Sequence, residues 1–66
     1  MPKGVVQFYL IEKKYGFIRQ LDSFEEFYFQ GKDCQSPVKA KDKVDFEIKE
    51  TKEGLQAIKI RLLKED

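Results

Sequence analysis

The sequence contains no histidine and only one cysteine, Cys34. Zinc sites are built from clusters of Cys and His ligands, and a Ser–His or Cys–His nucleophile pair needs a histidine. A single thiol also cannot form a disulfide within the chain. We therefore expect no metal site and no enzyme activity, and we interpret Cys34 as a small structural residue in a loop.

The chain also lacks a long apolar run and a strong charge of either sign. No stretch of about 20 apolar residues is available to span a membrane, and the first four residues do not form an apolar signal region. Thirteen basic and 12 acidic side chains give a net charge of +1, whereas a domain that binds duplex DNA through bulk charge is strongly basic. No glycine-rich phosphate-binding loop is present, so we expect no nucleotide cofactor. The 66 residues predict one small cytoplasmic domain over residues 1–66.

Aromatic residues are the unusual component of the sequence. There are six Phe and three Tyr, and eight of these nine lie between Phe8 and Phe29. A domain of about 60 residues buries only about 60% of the surface of its unfolded chain, so it has little room to hide so many rings. We therefore expect part of this aromatic set to lie on the surface.

Five short segments carry β-strand patterns and are separated by turns that contain charged residues, Gly or Pro. The clearest is residues 43–49, in which Val44, Phe46 and Ile48 share one face and charged residues share the other. Five short strands with tight turns favour a closed barrel over an open sheet, because closure removes exposed edges. The predicted strands are residues 4–10, 15–19, 25–30, 43–49 and 55–63.

The last segment is ambiguous. As a strand it places Ile58, Ile60 and Leu62 on one face, but Leu55, Ile58 and Leu62 also fit the spacing of a helix. Periodicity favours the strand without deciding the matter.

Two of the predicted strands each carry two aromatic residues at positions i and i+2, which lie on the same face of a strand. Tyr15 and Phe17 form one pair, and Phe27 and Phe29 form the other. We expect these four rings on the outer surface. The residues expected to face the core are then Gly16, Ile18 and Tyr28.

Exposed rings are costly in water, and large exposed apolar patches usually mark binding sites. Bases of single-stranded nucleic acid stack on aromatic side chains for about 1–3 kcal/mol each, with little sequence preference. The pattern therefore favours single-stranded nucleic acid as the partner, although a core or a dimer interface is the alternative use of the same rings. Basic side chains predicted near the rings, and able to neutralise phosphates, are Lys3, Lys13, Lys14, Arg19 and Lys59.

Residues 3–10 and 13–18, which read KGVVQFYL and KKYGFI, resemble the opening K-G-x-V-K-W-F-N-x-x-K-G-F-G-F-I of the cold-shock domain family. Residues 25–30 are similar to the family's second RNA-binding motif, close to D-V-F-V-H-F. Residues 44–48 and 54–57 are similar to its closing V-x-F-x-I and G-x-Q-A. The resemblance runs almost end to end and implies an all-β, five-stranded antiparallel OB-fold barrel, with a strand in the ambiguous last segment.

The resemblance also implies which residues bind nucleic acid. Phe8 stands at the family's stacking Trp, and Phe29 at its stacking His. Lys13 keeps a lysine expected near phosphate. The residues at its stacking phenylalanines are Tyr15, Phe17 and Phe27.

Some positions depart from the family pattern. Leu10 replaces an asparagine of the turn, Gln30 replaces a third ring of the second motif, and the loop before Lys43 contains no aromatic residue. Glu26 falls at a position that is usually apolar and inward. Fewer rings predict weaker binding than that of a fully equipped family member.

The function implied by the resemblance is that of an RNA chaperone or a regulator of transcription or translation. The expected partner is single-stranded RNA or DNA, bound by a monomer without metal or cofactor, and a homodimer is possible. The rival interpretation is a protein-interaction module or homodimer that uses the same aromatic face.

Overall fold

The computed structural model describes residues 2–63. Its only helical segment in that range is a single 3₁₀ turn, Gly31–Asp33, so the predicted all-β class is confirmed. Within residues 2–63 there is no helix long and apolar enough to cross a membrane. The five strands are β1 (Lys3–Leu10), β2 (Tyr15–Gln20), β3 (Glu26–Gln30), β4 (Lys43–Thr51) and β5 (Gly54–Leu62).

The strands close into a barrel in the order β1-β2-β3-β5-β4, and β4 pairs with β1 to complete the ring. The predicted barrel is therefore confirmed, and the last segment is a strand. One pair differs from the all-antiparallel expectation, because β3 and β5 run parallel where Tyr28 lies opposite Gln56. Because β4 is antiparallel to β1 and β5 is antiparallel to β4, β5 runs in the same direction as β1 and β3.

The core is built by apolar side chains from all five strands. Two phenylalanine rings at its centre, Phe27 and Phe46, lie with their centroids 5.6 Å apart. No buried side-chain nitrogen or oxygen among residues 2–63 lacks a hydrogen-bond partner. The buried side chains are Val6, Ile18, Phe27, Phe29, Val44, Phe46, Ala57 and Ile60.

An extra residue in β1, Gln7, changes which side chains face outward. Val6 lies opposite Ile18 and Phe8 lies opposite Phe17, so two steps along β1 match one step along β2. Such a bulge shifts the alternation of the strand by one residue. Without it, Phe8 would share the inward face of Val6. With it, Phe8 points outward beside Phe17.

A second bulge lies in β5. Ala57 and Ile60 are both fully buried although they are three positions apart, and Lys59 between them has a φ of 50°. The expectation that Ile58 and Ile60 share a face is therefore wrong, since the extra residue interrupts the alternation.

Candidate nucleic-acid interface

Four aromatic side chains form one continuous patch on the outside of β1, β2 and β3. The ring centroids of Phe8 and Phe17 are 5.5 Å apart, and those of Phe17 and Tyr28 are 6.0 Å apart. The ring centroid of Tyr15 lies 5.9 Å from that of Tyr28 and 6.5 Å from that of Phe8, which completes the patch. Phe8 is 39% exposed, and the other three side chains are half-buried. We call these four residues the aromatic face.

The outward orientation of Tyr15 and Phe17 follows from the residues between and beside them. Gly16 and Ile18 are buried, so alternation along β2 places Tyr15 and Phe17 outside, as predicted. Gly16 has no room for a side chain, because a Cβ atom there would overlap the carbonyl oxygen of Phe8 on β1 and lie 2.9 Å from the Phe29 ring. Close packing around Gly16 therefore keeps this residue on the inner face of β2 and leaves Tyr15 and Phe17 on the outer face.

The prediction that Phe27 and Phe29 lie on the outer surface is wrong, and so is the prediction that Tyr28 faces the core. Phe27 lies opposite Ile18 and Phe29 opposite Gly16, and residues opposite each other on paired strands share a face. Both rings are accordingly buried, at 1% and 0% exposure, where no base can stack on them. Tyr28 points outward instead.

The error is a shift of one residue in the match to the second motif, and such a shift exchanges the two faces of a strand. Moving the match by one residue puts Tyr28 where Phe27 was placed and Gln30 where Phe29 was placed. The same shift corrects the expectation for Glu26, which is exposed and lies 3.7 Å from Arg19 in an ion pair. Glu26 therefore does not disturb the core.

Three lysines gather at one edge of the aromatic face. A shallow depression is lined by Lys13, Lys14 and Lys32 together with Tyr28 and Gln30, and we call it the lysine depression. Backbone hydrogen bonds tie this edge together. The N–H of Lys14 donates to Leu10 O at 2.6 Å, and the N–H of Gly31 donates to Lys14 O at 2.9 Å. The predicted residue Lys13 is thus beside the rings, and Lys32, which the sequence did not single out, joins it.

The other predicted cations lie differently. Arg19 continues the outer face of β2 beyond Phe17 but is paired with Glu26. Lys59 is 3.9 Å from Glu47 on the adjacent strand β4. Lys3 is exposed at the start of β1, at the end of the barrel away from the lysine depression.

A second depression borders the aromatic face on the side of β5, between Phe17, Tyr28 and Gln56. Two amides supply hydrogen-bonding groups there. Gln30 Nε2 donates to Tyr28 Oη at 3.3 Å, and Gln56 Nε2 donates to Asp33 Oδ2 at 3.2 Å. Donors and acceptors next to flat rings suit the edge of a stacked base. Sequence reasoning missed Gln56 because only the parallel β3–β5 pair brings it beside Tyr28.

Cys34 is the only thiol, and its surroundings disfavour reactivity. Burial, and to a lesser extent the Asp33 carboxylate, raise the pKa of the Cys34 thiol above its usual value. A thiolate is the reactive form of cysteine, so a raised pKa lowers its population at neutral pH. No group of three or more Cys, Asp or Glu side chains in residues 2–63 is arranged to hold a metal ion.

The sequence of residues 2–63 matches the family model described as 'Cold-shock' DNA-binding domain. The chain therefore belongs to this family, which is a family of nucleic-acid-binding modules rather than of typical enzymes. This confirms the resemblance drawn from the sequence motifs.

The fold is similar to a solved structure described as drosophila Unr CSD456, with a TM-score of 0.79 and 21% sequence identity. The similarity covers 96% of this chain and 26% of that one, so this chain spans about a quarter of that length. At this identity the likeness concerns the fold alone, and it confirms the predicted OB-fold barrel. No curated protein matches the sequence.

Proposed function

We propose that this chain binds single-stranded RNA or DNA by stacking bases on Phe8, Tyr15, Phe17 and Tyr28. The observation that carries the proposal is a group of four neighbouring rings on an outer surface. Each ring contacts two of the others, with centroid separations of 5.5–6.5 Å. Every base has a π-face, so such a surface accepts different sequences, and each stacked base contributes about 1–3 kcal/mol.

The lysine depression supports the same function by providing positive charge at the edge of the rings. Lys13, Lys14 and Lys32 are exposed, and extended ammonium groups attract phosphates without forming a rigid site. With a net charge of only +1, binding is expected to be modest in affinity and sensitive to salt.

The proposed role is that of a passive RNA chaperone or a regulator of transcription or translation. The aromatic face stacks only on bases that are not already paired and stacked in a duplex. Binding to unpaired strands therefore shifts the equilibrium away from hairpins, and no bond is broken in the process.

Fluorescence anisotropy of a labelled oligothymidine heptamer tests the proposal, with a hairpin whose long G·C-rich stem stays paired under the assay conditions as the duplex comparison. The expected result is saturable binding to the single strand, weaker binding to the duplex, and weakening as salt rises. Equal binding to the single-stranded heptamer and the duplex, or tighter binding to the duplex, would contradict the proposal. Binding by neither nucleic acid, with self-association blocked by Tyr28→Ser, would instead favour the protein-interaction module.

A labelled RNA hairpin tests the chaperone role separately. Saturating protein should lower the melting temperature of the hairpin, and Tyr28→Leu should lower it less. A hairpin whose melting is unchanged while the heptamer binds would restrict the function to binding alone.

A further inference from the structure

The depression on the β5 side of the aromatic face has a lining that suits one particular kind of base. Phe17 and Tyr28 contribute to it from β2 and β3, whereas Leu55 and Gln56 contribute from β5. Its volume is about 530 Å³, which falls within the range of about 300–1,000 Å³ for small-molecule sites. We call it the β5 depression.

The charge of the β5 depression is opposite to that of the lysine depression. Glu26 and Glu53 line it, no lining residue is basic, and Lys52 in the adjacent turn lies outside it. Tyr28 borders both depressions. Phosphates are attracted by the lysines and repelled by the two carboxylates. A strand that stacks on Tyr28 is therefore expected to keep its backbone on the lysine side and to direct a base edge into the β5 depression.

Two side chains of the β5 depression offer hydrogen-bond acceptors. Gln56 Nε2 donates to Asp33 Oδ2 at 3.2 Å. Because a carboxylate only accepts hydrogen bonds, this contact fixes the orientation of the amide and leaves Gln56 Oε1 as an acceptor. The Glu53 carboxylate is also an acceptor, and it forms no ion pair within residues 2–63.

The turn between β4 and β5 holds Glu53 in place. The Thr51 hydroxyl donates to Gly54 O at 2.8 Å and accepts a hydrogen bond from the Glu53 N–H at 3.2 Å. Gly54 has a φ of 123°, a conformation that favours glycine. These contacts fix the backbone that carries Glu53 beside the depression.

The bases differ in the donors that they could present to such acceptors. Guanine has two adjacent donors on its Watson–Crick edge, N1–H and the N2 amine. Thymine and uracil have one N–H between two carbonyl oxygens, and adenine and cytosine have one amine next to an acceptor nitrogen. A pair of acceptors therefore matches guanine best, and the neighbouring carbonyl oxygens of thymine and uracil are repelled.

We propose that the β5 depression selects guanine at one position of the bound strand. Glu53 and Gln56 accept hydrogen bonds from the N1–H and the N2 amine of a base that stacks on Tyr28. This inference rests on the proposed function, because it requires a strand on the aromatic face. The other rings stack on bases of any kind, so the remaining positions stay tolerant of sequence.

Fluorescence anisotropy with modified heptamers tests the inference. Replacing the central thymine of the oligothymidine heptamer with guanine should tighten binding by about fivefold or more, the discrimination expected of a good bidentate pair. Adenine or cytosine at the same position should give little gain. Inosine, which lacks the N2 amine, should lose most of the gain, whereas 7-deazaguanine, which keeps the Watson–Crick edge, should retain it.

Substitutions assign the preference to the β5 depression. Glu53→Gln and Gln56→Met should each reduce the preference for guanine without weakening binding to the oligothymidine heptamer. Glu50→Gln is the matched control, because it removes the same charge from the same hairpin outside the depression and should keep the preference. Amide NMR spectra establish that each variant is folded.

The outcomes separate this inference from the proposed function. Wild-type protein that binds oligothymidine without preferring the guanine heptamer would overturn the inference and leave the proposed function standing. A preference that survives in full in Glu53→Gln, or with inosine in place of guanine, would also overturn it. A protein that binds none of the heptamers would contradict the proposed function and the inference together.

Discussion

Phe17 and Tyr28 are direct partners across strands β2 and β3, and their rings meet edge to face with centroids 6.0 Å apart. One step along the same ladder, Ile18 and Phe27 are partners inside the core. A single register therefore sets both the outer rings and the packing beneath them. Substitutions on the two sides of this ladder are expected to separate affinity from stability.

Replacing Tyr28 with Leu should weaken binding to an oligothymidine heptamer by about tenfold or more, because one stacking platform is lost. The side chain is half-buried on the surface, so the free energy of unfolding should change little. Anisotropy and urea denaturation measure the two quantities. Phe24→Leu is the matched control, since the Phe24 ring is 91% exposed and lies outside the aromatic face. Equal weakening by both variants would contradict the assignment of the aromatic face as the binding site.

Replacing Phe27 with Leu should have the opposite profile. The Phe27 ring is 1% exposed and packs on Phe46, so the substitution should lower the free energy of unfolding by about 1–3 kcal/mol. Affinity for the heptamer, measured below the unfolding transition, should remain close to that of the wild type. A large loss of affinity in a fully folded Phe27→Leu protein would argue that Phe27 contacts the bases after all.

Replacing Glu26 with Gln should strengthen binding at low salt by about two- to threefold, because a carboxylate that repels phosphates is removed beside Phe17 and Tyr28. The lost ion pair with Arg19 is exposed, and such pairs contribute about 0–1 kcal/mol. Anisotropy at two salt concentrations measures the effect, which should shrink as salt rises. Weaker binding would indicate that Glu26 accepts hydrogen bonds from a base.

Replacing Lys32 with Ala should reduce the salt dependence of binding. Each phosphate contact on a single strand contributes about −0.7 to the slope of log K against log salt, so losing one contact should make the slope shallower by about that amount. Lys39→Ala is the matched control, because Lys39 is an exposed lysine outside the lysine depression. If both variants change the slope equally, the depression has no special role.

Cys34 should react slowly with iodoacetamide at pH 8. Burial and the Asp33 carboxylate raise the pKa of its thiol, so less thiolate is present than in an unfolded chain. The raised pKa favours the protonated form in the folded state. The stability that comes from keeping the Cys34 thiol protonated is therefore present below the pKa that the thiol has in the unfolded chain. It is lost as pH rises through the pKa that the thiol has in the folded protein. Alkylation as fast in the native protein as in urea would contradict this environment.

The five-stranded architecture could be predicted from the sequence because β-rich segments are separated by turn residues, and β4 alternates cleanly between apolar and polar residues. Strand β3 could not be oriented in this way, since Phe27, Tyr28 and Phe29 place rings on both faces. A signal was nevertheless present: Glu26 and Gln30 alternate with the two phenylalanines and share the face of Tyr28. Because Glu26 and Gln30 are polar and lie two positions on either side of Tyr28, they indicate that Tyr28 faces solvent.

Other features depend on contacts that no local pattern contains. The bulge at Gln7, which turns Phe8 outward, is visible only in the pairing of β1 with β2. Lys32 and Gln56 reach the site through the 3₁₀ turn and the parallel β3–β5 pair. Sequence motifs therefore indicated the class of site, and tertiary pairing decided its members.

Side-chain NMR during titration with an oligothymidine heptamer tests the central claim most directly. The account predicts that the ring resonances of Phe8, Tyr15, Phe17 and Tyr28 shift together. Those of the buried Phe27 and Phe29, and of the distant Phe24, should shift much less. Large shifts centred on Phe24, or saturable binding without shifts at the four rings, would contradict the assignment of the aromatic face as the nucleic-acid interface.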